Sequence, residues 1–365
     1  MEILFWSSLL LLFYIFLGYP LIITLLAKIK PRPVLKGDYE PYVSIVFSVY
    51  NEEKRLEKRL RNLQGLDYPK TKIEIIVGSD GSSDKTNDIL RNTPGIKSLF
   101  FPTRRGKPSV LNDLVKIAKG EIIVFADSRQ EWYKNSLKLL LRNFQDSKVG
   151  VASGLVEEEG NLYRKYENFI RIKESVFSSV PGATGAIYGV RRELFENFPQ
   201  DIILDDLFLP MKIIRKGYRC IVDEEVLIKE EVFPLKRERA RKMRTIAGNF
   251  QMVFKYPWML NPFLNPVWFQ FFSHKFLRLF SPLLLLTLFL PSIFLLGKGI
   301  LYNIFFSLQV IFYLTAFFAK IGNANLPKPF KLPLMFLELN YAIILGFFNL
   351  VRGKVKVTWQ KGEEI

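Results

Sequence analysis

The chain has 365 residues, 49% of them hydrophobic, with 33 Phe, one Cys and one His. A single Cys (Cys220) excludes an intramolecular disulfide, and one Cys with one His (His274) argues against zinc or Ser-His-Asp chemistry. The formal charge of +17 comes with no zinc-finger, helix-turn-helix or RNA-binding signature. It points to an anionic bilayer surface and phosphate-bearing molecules rather than to nucleic acid.

Residues 3–27 carry no charge and are long enough to cross a hydrocarbon core. No Lys or Arg precedes them, while Lys28, Lys30, Arg32 and Lys36 follow. This pattern predicts an uncleaved anchor with its N-terminus outside and the chain after Lys28 starting in the cytoplasm. The Pro-rich stretch "PRPVLKGDYEP" (31–41) reads as a linker.

From 42 to about 150, β and α patterns alternate. "YVSIVFSVY" (42–50), "KIEIIVGS" (72–79), "IKSLFFP" (96–102) and "GEIIVFAD" (120–127) are predicted strands. "EEKRLEKRLRNLQ" (52–64) and "GKPSVLNDLVKIAK" (106–119) are predicted helices. The alternation predicts an α/β fold with a parallel sheet covered by helices. Ligands of such sheets bind at the carboxyl ends of the strands, where "VYNEE", "SDGSSD", "TRRGK" and "ADSRQ" lie.

These clusters carry chemistry in different ways. Asp80, where a strand meets a Gly turn, can accept hydrogen bonds from a base edge or sugar hydroxyl, and equally suits an ordinary turn. Arg104, Arg105 and Lys107 stand at a helix N-terminus, which favours an anion; a solvated basic loop would look the same. The Walker spacing is absent. Asp127 ends a strand where a carboxylate can hold a divalent cation bridging phosphates, or cap the next turn.

Beyond 150 the regularity fades. "GATGAIYGVRRELF" (182–195) is Gly-rich and then helical. "LDDLFLPMKIIRKGYRC" (204–220) opens a predicted helix with Asp205 and Asp206, where negative charge is favoured and one Asp would serve as a cap. "RERARKMRTIAGNFQMVFKYPW" (237–258) predicts a basic amphipathic helix on a membrane surface, and the aromatic stretch 254–272 a headgroup-level segment. His274 reads as interfacial rather than catalytic. Residues 279–297 and 299–319 are predicted spans, whereas Glu338, Asn340 and Asn349 make 332–351 look more interfacial or re-entrant than a clean span. The expected organisation is an anchor (1–30), a linker (31–41) and a catalytic domain (42–235). Basic and aromatic interfacial helices (236–275), two spans (276–320) and an interfacial, re-entrant or transmembrane helix with a cytoplasmic tail (321–365) follow.

In order across 42–251 these motifs resemble the membrane-embedded glycosyltransferase family 2 pattern on a GT-A fold. The elements are Asn-Glu after the first strand, an Asp-Gly-Ser turn, Gly106-Lys107 with Leu111-Asn112, the Asp-x-Asp position, a Gly-rich segment, Asp-Asp, and the Gln-x-x-Arg-Trp region. "WQK" (359–361) resembles the C-terminal Trp-x-Lys of relatives such as the hyaluronan, cellulose and poly-N-acetylglucosamine synthases and ceramide glucosyltransferase.

The resemblance implies a UDP-linked sugar donor and a glycan or lipid acceptor. It implies Asn51, Glu53 and Asp80 near the base and ribose, and Lys107 near the nucleotide. Asp127 would hold Mg²⁺ or Mn²⁺ on the diphosphate, and Gly182, Thr184 and Gly185 would line the acceptor site. Asp206 would be the base beside Asp205, with Arg241, Lys242 and Arg244 in the Gln-x-x-Arg-Trp region. Three positions depart from the pattern: Arg129 replaces the second Asp of Asp-x-Asp, and Arg241 and Thr245 replace the Gln and the Trp of Gln-x-x-Arg-Trp. Arg129 can itself neutralise diphosphate charge. Loss of the Trp argues against chain extension; a polymer product would need a homo-oligomer or a partner subunit. Inverting transfer needs one carboxylate of raised pKa to take the acceptor proton, and Asp206 is the candidate. The rival expectation is a silent subunit that binds nucleotide sugar without turnover, as Arg129 and Thr245 would favour.

Overall fold

The computed structural model describes residues 1–157, 162–230, 235–321 and 328–355. Among these, two compact units separate. One comprises 23–157, 162–230 and 256–270; the other comprises 1–22, 235–255, 271–321 and 328–355.

The first unit is built on one mixed eight-stranded sheet. Its strands are β1 (Val43–Val49), β2 (Ile73–Asp80), β3 (Ile96–Phe101), β4 (Ile122–Ala126), β5 (Gln130–Trp132), β6 (Val149–Glu157), β7 (Ile187–Arg191) and β8 (Arg219–Glu230). Their spatial order is β3-β2-β1-β4-β7-β6-β8-β5. The four predicted strands β1–β4 form the parallel half. Both faces are covered, so Val43, Ile45, Val46 and Phe47 of β1 and every residue of β4 are buried. Uninterrupted apolar runs are what such strands require.

The other half was not foreseen. β7 runs antiparallel to β4 and to β6, and the three-residue β5 pairs antiparallel with β8. Glycine at position 78 lets the helix Lys107–Ile117 pack close on β2: a Cβ there would lie 2.3 Å from Val110 Cγ1. That close approach sets the start of the helix, and so Lys107, beside the ends of the central strands.

The Pro-rich stretch 31–41 is not a free tether. Arg32 N–H donates to Val176 O at 2.8 Å, Lys36 pairs with Asp223 at 3.0 Å, and Val34 and Tyr39 pack against the sheet's core.

The second unit contains helices apolar enough to cross a membrane. Across the described residues four helices qualify by length and composition: Glu2–Ile29, Trp268–Phe294, Ile300–Ile321 and Phe330–Val351. The second begins earlier than the sequence pattern suggested, because the aromatic residues from Trp268 onward are already helical. Two of the three polar residues that made the last stretch look interfacial have side-chain partners inside this unit: Glu338 pairs with Arg239, and Asn340 accepts a 2.6 Å hydrogen bond from Ser281. Further polar links join Ser8 to Thr287 and Tyr14 to Ser273, at 2.8 and 2.7 Å. His274 is buried beside Tyr19, with ring centroids 6.1 Å apart. The "WQK" motif lies outside the described residues.

Candidate active site

Three carboxylates and one lysine meet where β4 ends and two helices begin. Asp127 follows β4 directly, Lys107 opens its helix, and Asp205 and Asp206 open the helix Asp205–Arg215. Lys107 Nζ lies 3.1 Å from Asp127 Oδ1 and 3.2 Å from Asp205 Oδ2. Burial works against the ammonium, but Asp127, Asp205 and Asp206 together hold it charged, above its ordinary value.

Asp206 faces the Gly-rich segment. A Cβ on residue 185 would stand 2.9 Å from Asp206 Oδ2, so only glycine leaves that oxygen uncovered. The residue keeps part of its surface open, yet protein atoms crowd it. Burial first, then the neighbouring Asp205 charge, push its pKa up to about 6, against the opposing pull of Lys107. Its backbone carbonyl accepts from Ala183 N–H at 2.7 Å, which ties the base helix to the segment holding Gly182, Thr184 and Gly185.

That segment is held from several sides. Thr184 N–H donates to Ser153 Oγ, and Thr184 Oγ1 donates to Gly154 O, both at 2.8 Å. Arg171, from the helix Leu162–Phe177, donates to Thr184 Oγ1 at 2.7 Å and to Gly182 O at 3.4 Å. Tyr188 of β7 stacks on Phe125 of β4, with ring centroids 4.7 Å apart. Its hydroxyl is buried, and burial together with Asp205 and Asp206 pushes its pKa well up, so it stays protonated.

The other predicted residues hold loops in place. Asp80 is buried and accepts from Arg105 N–H at 2.6 Å and Gly106 N–H at 2.9 Å. Asn51, at φ 50°, accepts from Ser83 N–H at 2.9 Å, and Glu53 accepts from Lys85 N–H at 3.2 Å. Both therefore join the loop after β1 to the loop after β2. Asn112 exchanges two hydrogen bonds with the backbone of Phe198, at 2.9 and 2.8 Å. Arg104 lies over the Tyr50 ring at 3.8 Å, making a flat wall at the ends of β1 and β3. Arg241, Lys242 and Arg244 belong to the helix Leu235–Lys255 of the other unit.

Sequence reasoning missed three contributors. Arg59 is buried and donates to the Asp127 carbonyl at 3.1 Å, so it fixes the end of β4 from 68 residues away. Glu52, rather than Glu53, is buried and faces Arg129 at 3.6 Å. Arg171 braces the Gly-rich segment. All three lie on helical or loop stretches whose charge pattern resembles a solvated face, so no local signal marked them.

Of the three carboxylates, Asp127 is the one that directly follows a strand end, and it is the candidate to hold a metal ion on a diphosphate. Among the described residues no group of three His, Cys, Asp or Glu is near enough to hold an ion. Mg²⁺ and similar ions bind through one or two carboxylates when substrate phosphates supply the other ligands. Asp127 fits that role, and Arg129 supplies positive charge where a second carboxylate would stand.

Residues 44–198 match the family model Glycosyl transferase family 2. The chain carries a glycosyl transferase family 2 domain. Glycosyltransferase AglE of Haloferax volcanii is 24% identical over 235 residues, covering 60% of this chain and 75% of AglE. A beta-monoglucosyldiacylglycerol synthase of Trichormus variabilis is 29% identical over 192 residues, 47% of this chain and 41% of the synthase. The chain thus spans less than half of that enzyme's length. Mannosyltransferase PcManGT from Pyrobaculum calidifontis, solved in complex with GDP-Man and Mn²⁺, superposes with a TM-score of 0.77 over 96% of this chain and 99% of that one, at 24% identity. This likeness establishes the GT-A-like fold of the family 2 domain.

Proposed function

We propose that this protein is a membrane-anchored, inverting glycosyltransferase that moves a sugar from a nucleotide sugar to a lipid or glycan acceptor. The observation that carries this reading is Asp206. It combines a raised pKa, an open edge beside Gly185 and a place next to the charged Lys107–Asp127 pair.

In the proposed reaction Asp206 Oδ2 accepts the proton of an acceptor hydroxyl. The acceptor oxygen forms a bond to the anomeric carbon from the face opposite the nucleotide. The bond from that carbon to the diphosphate oxygen breaks, and the electron pair leaves with the nucleoside diphosphate. Lys107 and Arg129 offset the charge that develops on it, with Arg241, Lys242 and Arg244 as further candidates; cations fixed in advance act strongly on such charge. Mg²⁺ or Mn²⁺ held at Asp127 would supply further neutralisation. Asn51, Glu53 and Asp80 shape the nucleotide end, and Gly182, Thr184 and Gly185 the acceptor end. The donor is a UDP- or GDP-sugar; PcManGT's GDP-Man and the acceptor in the name of the diacylglycerol synthase make both a nucleotide sugar and a lipid acceptor reasonable. We place the catalytic unit at the cytoplasmic face and read the four apolar helices, Phe330–Val351 included, as spans.

The test is nucleotide release by the protein in lipid nanodiscs, run against a panel of UDP- and GDP-sugars with Mg²⁺, Mn²⁺ or EDTA. Release with one donor, lost in Asp206→Asn, is the expected outcome. Donor binding without release under every condition, with lipid and glycan acceptors supplied, would instead favour a silent subunit. Release insensitive to EDTA would remove the metal from Asp127 and leave Lys107 and Arg129 as the working cations.

A further inference from the structure

The aromatic stretch before Trp268 does not lie flat as one helix. A short 3-10 turn, Pro257–Leu260, leads into a loop locked by its own side chains. Asn261 Oδ1 accepts from Phe263 N–H at 2.9 Å. Buried Asn265 donates from Nδ2 to Met259 O at 2.6 Å and accepts from Val267 N–H at 3.0 Å. Trp268, the first residue of a candidate span, donates from Nε1 to Leu260 O at 2.8 Å. The loop's tip is therefore built, and it is wholly apolar. Its exposed residues are Pro262, Phe263, Leu264 and Pro266, with Phe263 94% and Leu264 45% exposed. No Asp, Glu, Lys or Arg occurs from 256 to 273.

The base of the loop is clamped to the active-site elements of the same unit. The Tyr256 ring lies 5.3 Å from Phe208, two residues beyond Asp206. Arg215, at the far end of that helix, lies over Trp258 at 4.8 Å. Gln270 donates to Ser179 O at 3.4 Å, three residues before Gly182.

We propose that residues 261–266 form a wedge that inserts into the headgroup–acyl boundary of the bilayer, with lipid as its partner. A contiguous apolar tip with Phe263 almost fully exposed, on a hydrogen-bonded support and with no charged residue from 256 to 273, is suited to an apolar medium. Four tip residues are far too few for a protein partner, which needs about 800 Å² on each side. Chain continuity with the span at Trp268 supplies the membrane instead, and an aromatic stretch suits that depth. The wedge ties the unit that carries the base helix and the Gly-rich segment to lipid through contacts within that unit. This inference rests on the membrane part of the proposed function and not on its chemistry.

The test uses the full chain in nanodiscs holding one copy each. Cys220→Ala provides the background, and single cysteines at Phe263, Leu308 or Asp67 carry an environment-sensitive fluorophore. Leu308 lies mid-span and is 55% exposed; Asp67 is an exposed position on the catalytic unit. The label at 263 should lose most of its emission to spin-labelled lipid and resist aqueous iodide, as at 308, while the label at 67 does the reverse. Lipid quenching at 308 with iodide quenching at 263 would overturn the wedge and leave the membrane reading intact. No lipid quenching at 308 would overturn the membrane reading itself. A label at Leu264 repeats the measurement if the 263 variant fails to fold.

Discussion

Asp80 ends β2, Asp206 opens the helix Asp205–Arg215, and the two use their carboxylates differently. Asp80 gives both oxygens to the amides of Arg105 and Gly106, so its charge is spent on holding a loop. Asp206 lies beside Asp205 and near Lys107, Asp127 and Arg171, with an open edge at Gly185. The setting of Asp80 is thus fixed by backbone hydrogen bonds, and that of the Asp206 carboxylate by a balance of side-chain charges. A carboxylate already satisfied by amides can shape a site but gains little as a base. One crowded by other charges is easily protonated and deprotonated near neutral pH.

The strongest test of that contrast is Asp206→Asn. It keeps size and hydrogen bonding while removing the base, so transfer should fall on the order of 10²- to 10⁴-fold with donor binding retained. Equal loss of donor binding, measured by calorimetry, would place Asp206 among the positioning residues instead. In the native protein only ionised Asp206 can accept a proton, so transfer should decline as pH falls through about 6. The effect on folding has the opposite sense. A carboxyl whose folded pKa lies above its unfolded value binds more protons when folded, so its contribution to stability is lost as pH rises through that window.

Lys107→Met comes next. It removes the cation between Asp127 and Asp205 but keeps most of the volume. Transfer should fall on the order of 10²-fold. Because Lys107 pulls the Asp206 pKa down, the acid limb of the pH–rate profile should also move above that of the native protein. A fall in rate with an unmoved limb would show that Lys107 serves the donor alone.

The same contrast explains what the sequence made legible. β1, β2 and β4 are runs of Val, Ile and Phe buried on both faces, and their loops carry the Asp, Asn and Gly that turns require, so both strands and loops could be placed. Asp205 and Asp206 interrupt an apolar run at a helix start, which marks them without any tertiary knowledge. β5 has three residues, and β6–β8 reverse direction without a hairpin signal, so no short window reveals them. Arg59 and Arg171 look like ordinary helix-surface cations, and only the fold brings them to Asp127 O and Thr184. Glu338 and Asn340 made 332–351 look less than a clean span because their partners, Arg239 and Ser281, lie 99 and 59 residues away.

Asp80→Asn should act mainly through folding. The amide can accept only one of the two backbone hydrogen bonds, so the variant should lose about 1–3 kcal/mol of stability in denaturant unfolding. Donor KM should rise more than kcat falls, because the Arg105–Gly106 loop leads into the Lys107 helix rather than touching the reacting atoms. A kcat loss as deep as that of Asp206→Asn would erase the distinction between the two aspartates.

Thr184→Val asks the smallest question. The substitution keeps shape but removes the hydroxyl that accepts from Arg171 and donates to Gly154 O. Losing it should cost about 1 kcal/mol, a fewfold change, and the cost should appear in acceptor KM with donor KM unchanged. The reason is mechanical. Arg171 still donates to Gly182 O, and Thr184 N–H still donates to Ser153, so the segment keeps its path but loses one brace beside Asp206. Pairing Thr184→Val with Arg171→Lys should give less than the sum of the two effects, since both remove the same hydrogen bond. Full additivity would mean that Arg171 reaches Asp206 by its charge alone, and that side-chain bracing is not what keeps the acceptor half in shape.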